Sequence, residues 1–393
     1  MKNVPEIRFK GFEEEWNQYL IKNVASRHDN LRIPIKESKR KKGNVPYYGA
    51  NGIQDYVSGY THNGEYVLVA EDGANDLNIY PVQYVNGKVW VNNHAHVLQA
   101  KCEYGTNKFL RFAISNLTIK PYLVGCGRLK LNSEVLMTLG IKLPKLDSQI
   151  IISNYLYSQD DNIINTSKKI ASLKQLKSAC LISMFPQQGE TVPRVRFKGF
   201  NGEWKKKKLN SFASRITRKN SKLETKLPVT ISALNGIIEQ TMFFNNIVAS
   251  SNLSGYYLMK KGEFAYNKSY SCGFPFGTVK RMDRYEMGAL SNLYIVFKIE
   301  DMVCDDYILY LFETSTWHKE VSMRASEGAR NHGLLNIGAE DFLDIDIWVP
   351  NDKAEQHQIA SYFRNLDIQI SEQEKRLEKL KQIKAACLDK MFV

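Results

Sequence analysis

Two stretches of the chain repeat their apolar residues every seven positions. In residues 148–185, Leu156, Ile163 and Ile170 form one row, and Leu173 and Cys180 belong to another. In residues 354–392, Phe363, Ile370 and Leu377 form one row. Leu366, Leu380 and Cys387 form the second, interrupted by Gln373. Neither stretch has an interior Pro or Gly, and Pro144 and Pro350 stand just before them, so the pattern predicts two long helices. Seven-residue spacing on two rows is a coiled-coil seam. Its predicted members are Leu156, Ile163, Ile170, Leu173, Phe363, Leu366, Ile370, Leu377 and Leu380. The two seams have equal phase at an offset of 207 residues, which makes each the natural partner of the other. Two amphipathic helices on separate cores would also fit the spacing. Outside these stretches, runs rich in Val, Ile, Tyr and Phe predict strands at 65–70, 88–99, 293–299 and 342–349. Helical periodicity predicts helices at 107–116 and 305–324. The blocks 16–145 and 204–350 therefore read as mixed α/β (α+β).

The chain also repeats itself, and such repeats reveal architecture. VPEIRFKGFEEEWNQYLIKNVASR (4–27) and VPRVRFKGFNGEWKKKKLNSFASR (192–215) are identical at 12 of 24 positions, at an offset of 188. LKQLKSACLISMF (173–185) and LKQIKAACLDKMF (380–392) are identical at 9 of 13, at an offset of 207. Fainter ordered matches lie between them, such as GEYVLVAED (64–72) with GEFAYNKSY (262–270). The fold expected is a tandem repeat of a globular block followed by a long helix. Its bounds are 1–145 for the first block with its leader, 146–186 for the central helix, 187–350 for the second block and 351–393 for the C-terminal helix.

Charge refines this picture. The 393 residues carry 54 Lys and Arg against 41 acids, a formal net charge of +13. A surplus of that size favours a polyanionic partner, nucleic acid ahead of a membrane surface. Residues 146–186 hold four Lys against three Asp, and residues 351–393 hold eight basic against seven acidic. Each helix thus carries only +1, and the other +11 sits in the globular blocks and their leaders. The blocks are expected to touch DNA and the helices to touch protein. The six cysteines form no C-x-x-C pair and show no zinc-finger spacing, which fits reduced thiols in a cytoplasmic protein. The N-terminus reads as no signal peptide, and no apolar run approaches a membrane span.

Basic residues beside aromatic and amide side chains are the candidate DNA contacts. In the first block these are Lys39, Arg40, Lys41 and Lys42, then Tyr47, Tyr48 and Asn51, then Arg128, Lys130 and Asn132. In the second they are Asn267, Lys268, Tyr270, Lys280 and Arg281, with Arg330, Asn331 and His332 in a Gly-flanked loop. Arg and Lys suit phosphates and guanine edges, and Asn suits adenine edges. Lys205–Lys208 fits a solvated face as well as a DNA contact. His94 and His96 fall on one face of the 88–99 strand, but no third ligand stands near, so no metal is expected.

Residues for chemistry on DNA are missing from the pattern. The only Gly-Lys, Gly87-Lys88, has Val82 where a phosphate loop needs Gly. There is no Pro-Pro dipeptide for an amino-methyltransferase loop. Gly125-Cys126-Gly127 has no following helix. Glu71/Asp72 and Asp305/Asp306 lack nuclease spacing and suit turns and helix starts.

The paired openers, the LKQ-[LI]-K-x-A-C-L-x-x-M-F helix ends and the stretch RNHGLLNI (330–337) resemble the specificity (S) subunit of type I restriction–modification systems. The resemblance runs through essentially the whole chain. It implies two target recognition domains, each reading one half of a split asymmetric DNA sequence, spaced by two helices in an antiparallel coiled coil. It also implies two modification (M) subunits that bring S-adenosylmethionine and adenine methylation. Restriction (R) subunits would add ATP- and Mg-dependent translocation and cleavage. This chain would then be a non-catalytic DNA-binding subunit with no cofactor of its own. Two other readings remain open: a single-chain nuclease or glycosylase, and a structural DNA-bridging protein.

Overall fold

In the computed structural model the chain forms two compact units: unit 1 from residues 1–168 and 374–393, unit 2 from residues 169–373. The structure describes residues 4–243, 252–269, 273–325 and 335–393. The two long helices are present as Leu146–Ser183 (the central helix) and Lys353–Lys390 (the C-terminal helix). Each gives one part to each unit. In unit 1, Tyr155 meets Cys387 and Asp160 meets Lys384, so the two helices run antiparallel. In unit 2, Cys180 meets Tyr362 and Lys177 meets Asp367, again antiparallel.

Burial follows the heptads. Central-helix positions 156, 159, 163, 166, 170, 173, 177, 180 and 184 are buried or half-buried, as are C-terminal-helix positions 363, 366, 370, 373, 377, 380, 384, 387 and 391. The alternating three- and four-residue steps are those of a coiled-coil seam. Gln373 keeps its seam position, matched 207 residues earlier by Thr166. Lys177 and Lys384 also lie in the seam, which a count of apolar residues could not show. Their stems pack while their ammonium groups meet Asp367 and Asp160.

Among its described residues unit 1 carries eight strands: β1 (Asn17–Leu20), β2 (Ala25–Arg27), β3 (Lys42–Gly49), β4 (Gly52–Val57), β5 (His62–Ala70), β6 (Val82–Val91), β7 (Ala95–Ala100) and β8 (Gly140–Leu143). Six form one sheet in the order β2-β7-β5-β6-β3-β4, antiparallel except for β3 beside β6. β1 and β8 form a separate ribbon. Val67, Val69 and Leu98 pack with Trp16, with Phe109 and Phe112 of helix Asn107–Ser115, and with Leu156 and Phe392. That helix starts where the Thr106 side chain accepts the Phe109 N–H at 3.1 Å, a side-chain cap.

Unit 2 carries β9 (Lys205–Lys208), β10 (Ala213–Arg215), β11 (Pro228–Ser232), β12 (Gly236–Glu239), β13 (Tyr257–Lys260), β14 (Phe264–Asn267), β15 (Thr278–Arg281), β16 (Met287–Leu290), β17 (Ile295–Ile299) and β18 (Asp346–Val349). They form two four-stranded sheets, β10-β17-β14-β15 and β12-β11-β16-β13, and the ribbon β9-β18. The main core joins Phe264, Tyr266 and Phe297 to Tyr307, Trp317, Phe342 and Phe363. The mixed α/β class with paired long helices is thus as the pattern predicted.

Three local expectations need correction. The 88–99 run is two strands, because the Asn92 side chain accepts the His94 N–H at 2.8 Å and turns the chain between β6 and β7. His94 therefore lies in a turn, and only His96 is on a strand. The 305–324 helix is two, Asp305–Leu311 and His318–Arg324. Between them the Thr314 hydroxyl donates to the Leu311 carbonyl and accepts the Thr316 N–H, replacing helical bonds. The 342–349 strand begins only at Asp346, after a short helix Ala339–Leu343.

Candidate nucleic-acid interface

The candidate residues of unit 1 fall in two groups. Lys39, Lys41 and Lys42 are exposed at the entry to β3 and have no ion pair among the described residues. Arg40 differs from them. Its guanidinium stacks over Tyr47 at 4.3 Å, bonds the Ile35 carbonyl and reaches Asp55 at 3.4 Å. Tyr47 is 1% exposed, with its hydroxyl at the Ile35 backbone, so it supports the basic segment from inside. Tyr48 is half-buried; burial first, and the Tyr56 hydroxyl second, push its phenol above the ordinary 10.0.

The second group surrounds the loop after β5. Asn51 donates to the Gly73 carbonyl at 2.9 Å and accepts the Asn75 N–H at 2.9 Å, which ties the β3–β4 turn to that loop. Arg128 bonds Asp72 at 2.9 Å, and His94 Nδ1 sits 2.6 Å from the same carboxylate. Lys130 pairs with Glu71 at 2.8 Å, and Arg32 meets Glu71 at 2.6 Å. His96 lies between Asp29, at 2.8 Å, and the Leu131 carbonyl, at 2.8 Å. Burial alone would raise the Asp29 and Glu71 carboxyls. Hydrogen bonds overcome it and hold both below their ordinary values, from His96 and the Val97 N–H on Asp29 and from Lys130 and Arg32 on Glu71. Asn132 is exposed just before helix Ser133–Thr138. His94 and His96 thus have separate carboxylate partners and share no ligand position.

In unit 2 the candidates are more committed to the fold. Arg281 bridges Asp283, Asp305 and Asp306 at 2.7–2.9 Å. Lys280 is largely buried beside a groove lined by Lys177, Gly277 and Glu313, and burial lowers its ammonium below the ordinary 10.5. Asn267 accepts the Ser269 N–H, and the Lys268 carbonyl accepts the Leu335 N–H. Tyr270, Arg330, Asn331 and His332 lie outside the described residues.

A basic segment of unit 2 escaped the sequence reading. Residues 215–226 hold Arg215, Arg218, Lys219, Lys222 and Lys226 against Glu224 alone. They follow β10 as residues 27–42 follow β2, so the repeat itself was the signal. Arg218 pairs with Glu263, Lys219 lies over Tyr257 and bonds Asn292, and Arg215, Lys222 and Lys226 are exposed. Within the segment, buried Asn220 bonds the Thr225 and Leu253 carbonyls, and Leu223 takes a φ of 52°. Non-glycine residues hold that conformation only under support.

The acidic pairs are engaged with cations. Glu71 and Asp72 have the partners given above. Asp306 is held by both Arg281 and Arg364. Cys304, Asp305 and Asp306 bring potential ligand atoms within 4.8 Å of one another, but these guanidinium groups already neutralise both carboxylates. Among the described residues, no helix is long and apolar enough to cross a membrane.

The family described as type I restriction modification DNA specificity domain matches residues 13–175. A protein of Haemophilus influenzae described as a type I restriction enzyme specificity subunit is 45% identical over 151 residues, 38% of this chain and 38% of that protein. The specificity subunit of the EcoprrI type I restriction enzyme of Escherichia coli is 27% identical over 162 residues, 41% of this chain and 38% of that protein. The aligned parts thus span well under half of either relative. The crystal structure of the S subunit of a type I restriction–modification system from M. genitalium aligns over 99% of both chains, with a TM-score of 0.66 and 13% identity. At that identity the likeness is one of fold.

Proposed function

We propose that this chain, whose residues 13–175 match the type I restriction modification DNA specificity domain family, is the sequence-reading subunit of a type I restriction–modification enzyme. Unit 1 reads one half of a two-part asymmetric site in double-stranded DNA, and unit 2 reads the other. The observation that carries this reading is the duplication. One framework is built twice and holds a six-stranded sheet in one unit and two four-stranded sheets in the other. A two-part target calls for two such surfaces on one framework.

The paired helices, near neutral in charge, suit protein partners. On this reading two modification subunits dock there and supply S-adenosylmethionine and the adenine methylation chemistry. Restriction subunits join through them with ATP and Mg. The chain itself does no chemistry on DNA and works in the cytoplasm. The engaged acidic pairs favour this over a single-chain nuclease or glycosylase. The test is incubation of duplex DNA with the purified chain alone, and then with the modification subunits and S-adenosylmethionine. Methylation only in the second mixture is expected; cleavage or base excision by the chain alone would overturn the proposal.

A further inference from the structure

Gln54 was not among the residues the sequence singled out. It sits in the β3–β4 hairpin, where Tyr47 pairs with Asp55 and Tyr48 with Ile53. Gln54 is thus the extra residue of a β-bulge, a device that re-aims a side chain. The strand that carries it, β4, is an edge of the sheet, and Gln54 is exposed.

Its side chain is nonetheless held. A Cβ on Gly49 would stand 2.3 Å from Gln54 Nε2 and 2.6 Å from its Cδ, so the amide lies in space that only a glycine leaves open. Asn92, 3% exposed, points its Nδ2 at Gln54 Oε1 at 3.4 Å. Asn92 is fixed in turn, since its Oδ1 accepts the His94 N–H and its own N–H donates to the Tyr48 carbonyl at 3.1 Å. A bulge, a glycine cradle and a buried amide therefore fix the orientation of one exposed glutamine. Among the described residues, both Nε2 hydrogens and one lone pair of Oε1 have no partner and can meet a ligand.

We propose that the β3–β4 hairpin enters the DNA major groove and that Gln54 reads an adenine edge there; this rests on the function proposed above. A two-stranded ribbon fits the major groove, and a glutamine amide pairs with adenine, accepting from N6–H and donating to N7. Charge supports this occupant. Lys42 stands across from Val57, three residues along β4 from Gln54, which is about 10 Å at the rise of a strand. The major groove is about 12 Å wide, so a lysine at that distance reaches the flanking phosphate while Gln54 meets the base. Gly49 and Asn92 act as positioning residues.

The experiment is methylome sequencing of cells carrying the full chain and its modification subunit. It compares the wild type with Gln54→Ala, Gln54→Glu and Gly49→Ala. Gln54→Ala and Gly49→Ala should relax the same single position of one half-site, with discrimination for adenine falling about tenfold or more. Gln54→Glu should move preference at that position toward cytosine, whose N4 donates to a carboxylate. The other half-site should not change. A wild-type two-part motif that survives Gln54→Ala unchanged at every position would overturn the role of Gln54. A wild type that directs no two-part methylation would overturn the subunit reading instead.

Discussion

Several bonds that hold one unit's framework have counterparts in the other. Trp16 meets Phe392 edge-on at 5.7 Å, and Trp204 meets Phe185 edge-on at 6.2 Å. Gln149 donates to the Pro144 carbonyl and accepts the Thr106 N–H, as Gln356 does with Pro350 and Cys304. Lys384 meets Asp160 and Lys177 meets Asp367. The Ile7 N–H donates to the Lys390 carbonyl, and the Val195 N–H donates to the Ser183 carbonyl. The correspondence runs into the sheets, where β10-β17-β14-β15 repeats the order and antiparallel pairing of β2-β7-β5-β6, and it ends where β3 and β4 extend that sheet in unit 1 while β11, β12, β13 and β16 form a second sheet in unit 2. Holding the helix pair is one task done twice; on the function proposed above, each unit would read a different half of the DNA site.

The comparison predicts equal losses where the framework is equal. Trp16 and Trp204 are 4% and 2% exposed. Trp16→Ala and Trp204→Ala should each cost about 3–5 kcal/mol. Hydrogen exchange should show the loss in the unit that carries the substitution. A loss in one variant only would break the equivalence.

One repeated arginine should not behave equally. Arg196 makes a two-pronged bond to Glu355, which is 1% exposed in its side chain. Its repeat mate, Arg8, is exposed and among the described residues bonds only the Glu13 carbonyl. The position matching Glu355 is Ser148, which donates to Glu14. Arg196→Ala leaves a buried carboxylate without its counter-charge and should cost about 3 kcal/mol or more. Arg8→Ala should stay within about 0.5 kcal/mol. Urea unfolding of the two variants distinguishes them.

A smaller effect should appear in acid. The Asp29 and Glu71 carboxyls lie below their ordinary 3.8 and 4.5 in folded unit 1. Lowered values mean that their contribution to stability is full above the ordinary values and is lost as pH falls through the lowered ones. Unit 1 should therefore weaken below about pH 4.5, and Glu71→Gln should remove part of that dependence. A variant with an unchanged acid profile would show that the network around Arg32 and Lys130 carries none of it.

The weakest substitutions are those of Lys39, Lys41 and Lys42 to Ala. They should leave stability unchanged and lower DNA affinity alike for all sequences, with a shallower dependence on salt. A change confined to one half-site would mean that these lysines read bases.

The framework was legible in the sequence because both copies must meet the same packing demands. Heptads, openers and helix ends recur there, and the structure brings them together. Lys177 and Lys384 were the exception, since their burial depends on an Asp of the other helix. The candidate interface was harder to read. Asn51, Arg128 and Lys130 were visible by type, but their partners Gly73, Asp72 and Glu71 are set by loops. Gln54 gave no local signal, because its placement depends on a bulge, on Gly49 before it and on Asn92 far along the chain. Likewise, 88–99 and 305–324 broke where Asn92 and Thr314 bond the backbone, which periodicity does not register.

On the proposed function, two units read two half-sites. Methylome sequencing of cells carrying this chain with its modification subunit tests it most directly. One asymmetric motif with two specified parts and an unspecified gap between them is expected. Substitutions among residues 42–57 should alter only one part, and those among residues 215–226 only the other. A single continuous motif, or substitutions in either unit that alter the same part, would contradict it.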